Sequence, residues 1–325
     1  MTPTLQLLQK SELPAGQWFV LNPPADWRSS ALLSEVSFYS EEWAVARQFD
    51  SCEFGVEPNV PAGTEHVLLF LPKAKPRLQQ LLHSIVPQLN SANLWVVGEN
   101  TGGIKAAPKQ LADYFAVIEK CGNAKRCGLL RCSEPKQALP DVEALSPTVF
   151  DQWQLSAKPG LFNKGQVDKG TELLLQHLPK LHGRVLDMGC GGGVISLAAI
   201  AKGAESVLAA DSSAVALAAA QESLALNNTE SVEVVASDVY SDIPRDIGGS
   251  FDWVLSNPPF HSGIATDYQP ARRLIQDSKR YVRSGGRLMI VANRHLPYEQ
   301  WLEATFSRWE VLVQESGFKV LVAYQ

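Results

Sequence analysis

The residues best suited to chemistry sit where short apolar runs end. Phe251 to Leu255 lead into Ser256-Asn257-Pro258-Pro259-Phe260. Proline has a fixed φ and no N–H, so a strand must stop there, and the residue before it is held extended. The product is a stiff loop whose carbonyls have no ladder partner, with an amide at Asn257 and a ring at Phe260. Such a loop can grip a flat, amine-bearing group. Asn and Pro are also ordinary turn residues, so these positions need support from elsewhere in the chain.

That support comes from a second cluster. GRVLD runs into Asp187-Met188-Gly189-Cys190-Gly191-Gly192-Gly193 and then into a helical stretch. Glycines there let backbone approach a ligand closely, at the carboxyl ends of strands where open α/β sheets bind ligands. Dinucleotide binding calls for G-x-G-x-x-G; counted from Gly189, the third glycine falls on Val194. A P-loop lysine is missing as well. Asp187 closes the first strand, Asp211 the second and Asp238 the third. A row of carboxylates repels a phosphate and suits a cationic, hydroxyl-rich ligand. Asp211 could take two ribose hydroxyls, Asp238 an exocyclic amine, and Asp187 could order the loop near an ammonium. One such Asp alone would read as a helix cap; three at successive strand ends point to a ligand.

The elements that position these groups alternate. From residue 183, GRVLDMG, SVLAADS, SVEVVASD, FDWVLSN and GRLMIVAN read as strands separated by helical stretches, the later ones near 270–283 and 297–306. WEVLVQES and FKVLVAYQ close the chain as a hairpin turning at Gly317. The pattern predicts a seven-stranded, mostly parallel sheet covered on both faces. Residues 1–140 read as a worn copy of the same plan. HVLLFLPKAKP and LWVVGENTGG parallel the fourth and fifth strands, and RCGLLRC is expected to be a late edge strand. Asn22-Pro23-Pro24 resembles the later Asn-Pro-Pro, but it follows the earliest strand, where the glycine loop would belong; it is read as a turn. The fourth-strand counterpart, Phe70-Leu71-Pro72-Lys73, lacks the asparagine. Residues 141–160 are expected to form a small ordered connector with a strand at FDQWQL.

Composition sets limits. The 325 residues carry a net charge of −5, which excludes a globally basic nucleic-acid coat. Arg272, Arg273, Lys279, Arg280, Arg283, Arg287 and Arg294 form a local basic run, and Lys120, Lys125, Arg126, Arg131 and Lys136 a weaker one. Five cysteines fit no common zinc spacing, so no metal is expected and the thiols are read as reduced. There is no run of 18 or more apolar residues and no secretory leader pattern. A cytoplasmic monomer without membrane contact is the expectation.

Together, DMGCGGG, AADSS, ASDVY and SNPPF resemble the class I S-adenosylmethionine-dependent methyltransferases. FNKGQVDKGTELLLQHL, IVANRHLPY, VVGEN and LADYF narrow the resemblance to the bacterial small-subunit ribosomal RNA guanine-N2 methyltransferases of the RsmC type. It covers about residues 65–325 and is strongest from 160 onward. It implies two tandem Rossmann-like domains: residues 1–140 degenerate, docking RNA or serving structure, and residues 161–325 catalytic. It implies S-adenosyl-L-methionine as cofactor, held by Asp187, Gly189, Gly191, Gly193, Asp211 and Asp238. It implies Asn257, Pro258 and Phe260 as the catalytic loop and small-subunit (16S) ribosomal RNA, or an assembled 30S-type subunit, as partner. Within it, the Asn257 oxygen and Pro258 carbonyl would accept from the guanine amine, and Phe260 would stack on the base. No strong base is required, because the nitrogen becomes acidic once methylated; His261 stands adjacent. An Asn-Pro-Pro-aromatic loop also fits transfer to adenine N6 or protein glutamine N5, and a non-catalytic RNA-binding protein is a further alternative. The basic run 272–294 would hold phosphates beside the site.

Overall fold

Apolar runs bounded by turn residues become buried strands in both halves of the chain. A computed structural model describes residues 1–27, 33, 35–142, 144–244, 251–258 and 268–325. The chain divides into two units, Met1–Ala144 and Leu145–Gln325.

In the first unit, α1 (Pro3–Leu8) precedes β1 (Trp18–Leu21), β2 (Val36–Ser40), α2 (Trp43–Ala46), β3 (Cys52–Phe54) and β4 (His66–Phe70). Then come α3 (Lys75–Ile85), β5 (Asn93–Glu99), α4 (Ala107–Leu111), β6 (Phe115–Ala124) and β7 (Cys127–Pro135). The second unit opens with a hairpin, β8 (Thr148–Phe150) and β9 (Trp153–Leu155), and continues through α5 (Lys169–Gln176), β10 (Arg184–Met188), α6 (Val194–Ala201), β11 (Ser206–Asp211), α7 (Ala214–Leu226) and β12 (Val232–Ala236). It ends with β13 (Phe251–Ser256), α8 (Gln269–Ser278), β14 (Val282–Asn293), α9 (Tyr298–Thr305), β15 (Arg308–Glu315) and β16 (Phe318–Tyr324).

Each unit carries a seven-stranded sheet. Their orders, β3-β2-β1-β4-β5-β7-β6 and β12-β11-β10-β13-β14-β16-β15, are the same order written twice. In each sheet six strands run the same way, and one, β7 or β16, runs antiparallel to both its neighbours. The duplicated Rossmann-like plan is therefore present. One expectation is corrected: RCGLLRC belongs to β7, which lies inside the sheet between β5 and β6, and the edge is β6, FAVIEKCGNA. The edge strand is polar and half exposed, so it carries little of the hydrophobic signal that marks an interior strand.

In the second sheet, alternate residues of one strand face opposite cores, as the pleat requires. Leu186, Leu208, Val254, Leu288 and Ile290 pack with α8 and α9. Val185, Val207, Trp253, Leu255, Met289 and Val291 pack with α5 and α6. β13 is buried along its whole length. The β15–β16 turn is two residues, Ser316 and Gly317, both at positive φ, the geometry favoured for a tight hairpin.

Residues 145–160 fold onto the second unit. Gln154 N–H donates to the Asn227 amide oxygen at 3.1 Å, Ser156 N–H to Ser223 Oγ at 2.9 Å, and Ser156 Oγ to Glu222 at 3.0 Å, so the β8–β9 hairpin is tied to α7. Among the described residues, no helix is long and apolar enough to cross a membrane.

Candidate active site

The parallel register brings the singled-out residues to one edge of the second sheet. Asp187 in β10 sits level with Ala209 in β11 and Leu255 in β13, and Ser237 N–H donates to the Asp211 carbonyl at 2.9 Å. The loop after β10, the last residue of β11, Asp238 beyond β12 and Asn257 beyond β13 therefore share the carboxyl end, the usual place for ligands in such sheets.

Gly189, Gly191 and Gly193 all have positive φ. A Cβ added at Gly189 or Gly191 would meet no described residue within 4 Å. At Gly193 a Cβ would lie 3.3 Å from Ala220; that glycine lets α6 start close against α7 and does not face the cradle. The loop is tied down by Asp211, whose Oδ2 accepts from Gly191 N–H at 2.9 Å while Oδ1 accepts from Ser213 N–H at 2.9 Å. Ser213, not Asp211, caps α7. Burial pushes the Asp211 carboxyl above its usual range, opposed by the N–H groups of Ser213, Gly191 and Ser212. Three N–H groups on two oxygens leave the carboxylate capacity for a further donor.

Asp187 is fully buried. Its Oδ2 accepts from Ser196 Oγ at 2.6 Å, and its Oδ1 has no hydrogen-bond partner among the described residues. Burial raises this carboxyl to about 7 against the pull of the Ser196 hydroxyl, with the Asp211 charge adding to the rise. A buried, unpartnered carboxylate oxygen is costly and suits a cationic or N–H-bearing ligand group. Asp238 is held by Arg273, with Nη1 at 3.0 and 3.3 Å from the carboxylate oxygens and Nη2 at 3.3 Å from the Asp238 carbonyl. Both groups are partly exposed, so the pair is weak and exchangeable.

Asn257 is fixed from two sides. Ser256 Oγ donates to the Met188 carbonyl at 2.6 Å, joining the β13 tip to the glycine strand. The Asn257 Nδ2 donates to Asp168 Oδ2 at 3.0 Å and to Thr171 Oγ1 at 2.8 Å. Its Oδ1 is buried and has no partner among the described residues. Pro258 follows and is buried. Phe260, with Pro259 and His261, lies outside the described residues.

Sequence reasoning missed Asp168, Thr171, Ser196 and Ser256, and placed Arg273 among the phosphate-binding cations, whereas it pairs with Asp238. Asp168 and Thr171 lie inside the quoted stretch VDKGTELLL, and a D-x-x-T before an apolar run is a recognisable cap; its reach to Asn257 is long-range and has no local signal. The basic run is corrected by topology. Arg283 and Arg287 lie toward the amino end of β14, away from Asn257; Arg283 pairs with Asp252, and Arg287 lies over the Trp253 and Tyr324 rings. At the carboxyl end the run leaves Arg272 and Arg294 exposed, and Lys164 and Lys169 are exposed beside the Asp168 cap. Among the described residues, no group of His, Cys, Asp or Glu could hold a metal ion, and all five cysteines are free.

This sheet order with a glycine-rich, acidic crevice defines a class I methyltransferase. Comparison agrees: the methyltransferase small domain matches residues 152–322, and its N-terminal companion domain matches residues 5–146. The chain is 40% identical to ribosomal RNA small subunit methyltransferase C of Citrobacter koseri over 264 residues, 80% of this chain and 75% of that protein. It is 37% identical to the Salmonella paratyphi B protein of the same name over 305 residues, 91% of this chain and 87% of that one. A solved T. thermophilus 16S rRNA guanine-N2 methyltransferase (RsmC), in complex with AdoMet and guanosine, superposes with a TM-score of 0.84 at 23% identity, covering 100% of this chain and 92% of that one. The chain belongs to the ribosomal RNA small subunit methyltransferase C family.

Proposed function

We propose that this chain transfers a methyl group from S-adenosylmethionine to the exocyclic N2 of one guanine in small-subunit ribosomal RNA. The observation that carries the reading is Asn257: its amide nitrogen is tied down, and its oxygen is buried, unpartnered and beside the glycine cradle.

The cradle fits the cofactor. Asp211 would take ribose hydroxyls, Asp187 Oδ1 the amino-acid end, and Asp238 the adenine amine after exchanging Arg273. Gly189 and Gly191 leave room for the chain between them. When bound, the cofactor supplies an electrophilic methyl group on a sulfonium. The residues do the rest by position, which is worth several kcal/mol in such reactions. Asn257 Oδ1 and the Pro258 carbonyl accept from the two amine hydrogens and draw the nitrogen lone pair out of the guanine ring. Phe260 stacks on the base. The nitrogen gains a methyl group and releases one proton, and no strong base is needed. The base must be unpaired or extruded to enter. Lys164, Lys169, Arg272 and Arg294 would hold the neighbouring phosphates.

In the first unit Asn22-Pro23-Pro24 follow β1 where a glycine loop would stand, and this unit serves RNA docking or folding of the second. The substrate is small-subunit ribosomal RNA, naked or in an assembled 30S-type subunit, met by a monomer in the cytoplasm. The test is incubation with labelled cofactor and small-subunit RNA or subunits, followed by mass analysis of the digest. N2-methylguanosine at one site is expected; faster labelling of adenine or of protein glutamine overturns the reading.

A further inference from the structure

The Asn257 amide can face the pocket in two ways. With the oxygen inward it accepts from an amine; with the nitrogen inward it donates to a carbonyl. Which one holds is decided behind it. Asp168 is the N-cap of α5: its Oδ1 accepts from Gly170 N–H at 2.9 Å and from Thr171 N–H at 3.2 Å. Its Oδ2 accepts the Thr171 hydroxyl at 2.6 Å. That bond takes the only proton on Thr171 Oγ1, so the hydroxyl offers Asn257 lone pairs alone. Asn257 Nδ2 then has two acceptors, at 3.0 Å and 2.8 Å. Turning the amide over would set its oxygen against a carboxylate and a lone pair, with no donor for it. The cap carboxylate therefore leaves Oδ1 toward the pocket, where it has no partner among the described residues. An unpaired buried acceptor costs roughly 1–3 kcal/mol, and an amine donor in the pocket would recover that.

We propose that Asp168 and Thr171 are positioning residues that set the hydrogen-bond polarity of the methyl-acceptor pocket, acting through Asn257. The kinetic consequence rests on the methyl-transfer reading; the amide orientation does not. The pocket selects a donor-bearing nitrogen, such as an exocyclic amine, and rejects a carbonyl at the same place, because a buried polar group left unmatched discriminates strongly. Asp168 also couples this polarity to helix formation, since one carboxylate caps α5 and orients Asn257.

Asp168→Asn separates the two roles. Asparagine caps helices about as well as aspartate, yet its Nδ2 would face the Asn257 Nδ2 and drive the Asn257 amide over. We expect a melting temperature close to that of the parent, cofactor affinity and RNA KM within about threefold, and kcat lowered about 100-fold or more, the usual cost of one lost transition-state partner. Thr171→Val removes one of the two acceptors and should fall between, with Thr171→Ser restoring the parent rate. In an Asn257→Ala background, single-turnover rates should show no further loss from Asp168→Asn, because coupled residues are not additive. The Asn257 side-chain amide protons, assigned by their disappearance in Asn257→Ala, should be protected from exchange in the parent protein and exposed in Asp168→Asn. A parent-like kcat in Asp168→Asn, a full additional loss on the Asn257→Ala background, or unchanged amide protection would each overturn the proposal. If the parent protein methylates no guanine, the proposed function fails while the amide-proton measurement still judges the polarity.

Discussion

Asp187→Asn should change how stability depends on pH, and the size follows from its burial. The folded protein holds this carboxyl at about 7 against an ordinary 3.8. The folded state therefore binds the proton more tightly than the unfolded chain. Below about pH 4 both states are protonated and the stabilisation is fully present; as pH rises the unfolded state loses its proton first, and the stabilisation disappears by about pH 7 to 8. At about 1.4 kcal/mol per factor of ten in proton affinity, the whole span is on the order of 4 kcal/mol. Between pH 5 and pH 8 the loss is about 3 kcal/mol. Asparagine keeps an oxygen for the Ser196 hydroxyl and does not titrate. The difference in stability between variant and parent should therefore shift by that amount in favour of the variant over this interval. Urea unfolding read at the transition that S-adenosylmethionine shifts is the assay. A cationic group placed against Oδ1 would pull the carboxyl back down, so cofactor uptake near pH 7 should release a fraction of a proton. Calorimetry in buffers of different ionisation heat measures it, and Asp187→Asn should abolish it. Parallel pH profiles for parent and variant would refute the reasoning.

Asn257→Ala should leave cofactor affinity within a few-fold and cut turnover about 100-fold or more, whereas Asp211→Ala should weaken cofactor binding first; equal loss of cofactor in both, by calorimetry, would contradict the assigned roles. Calorimetry should also find one cofactor per chain, and a stoichiometry of two would reinstate the first unit as a binding site. Arg272→Ala or Arg294→Ala should each reduce the salt slope of RNA binding by about 0.7 to 0.9, while Arg283→Ala, at the far end of β14, should leave that slope unchanged and lower stability through the loss of the Asp252 pair.

Much of this arrangement is legible in the chain because its signals are local. Buried parallel strands are apolar throughout, so β10, β11, β13 and β14 stand out, and Gly317 announces the last hairpin. The β6–β7 hairpin escapes notice because its turn is Lys125-Arg126, both at positive φ without glycine or asparagine, and because β6 is an exposed edge. The three acids and the glycines are visible as strand ends. Their partners are not: Ser196 to Asp187, Arg273 to Asp238 and Asp168 to Asn257 are separated by 9, 35 and 89 residues. The basic run illustrates the reverse error. Seven cations adjacent in sequence are spread along a helix and a strand, so adjacency overstated their cooperation.

The two units carry the same frame with different residues at the matching strand ends. Asn22 N–H donates to the Tyr39 carbonyl at 2.8 Å, as Gly189 N–H donates to that of Ala210 at 2.8 Å, so Asn22 stands in the first unit where Gly189 opens the cradle. Asn22 keeps the positive φ but brings a side chain, whose oxygen accepts from Glu41 N–H at 2.9 Å and whose nitrogen donates to Glu41 Oε1 at 3.1 Å. Glu41, one residue past β2, is the nearest match to the acid that ends β11. Its Oε1 takes the buried Arg77 guanidinium at 2.9 and 2.8 Å, and Arg77 reaches on to Gln80 at 2.6 Å and to the Val56 carbonyl. An internal cation thus satisfies the carboxylate that would otherwise be free for a ligand. Removing either partner would strand a buried charge, typically at several kcal/mol, so Arg77 is far harder to displace from Glu41 than the partly exposed Arg273 is from Asp238. The difference between the units lies in the residue that follows the first strand and in what occupies the acid at the second strand end, and not in the strand order. The internal ion pair leaves the strand order of the first unit intact.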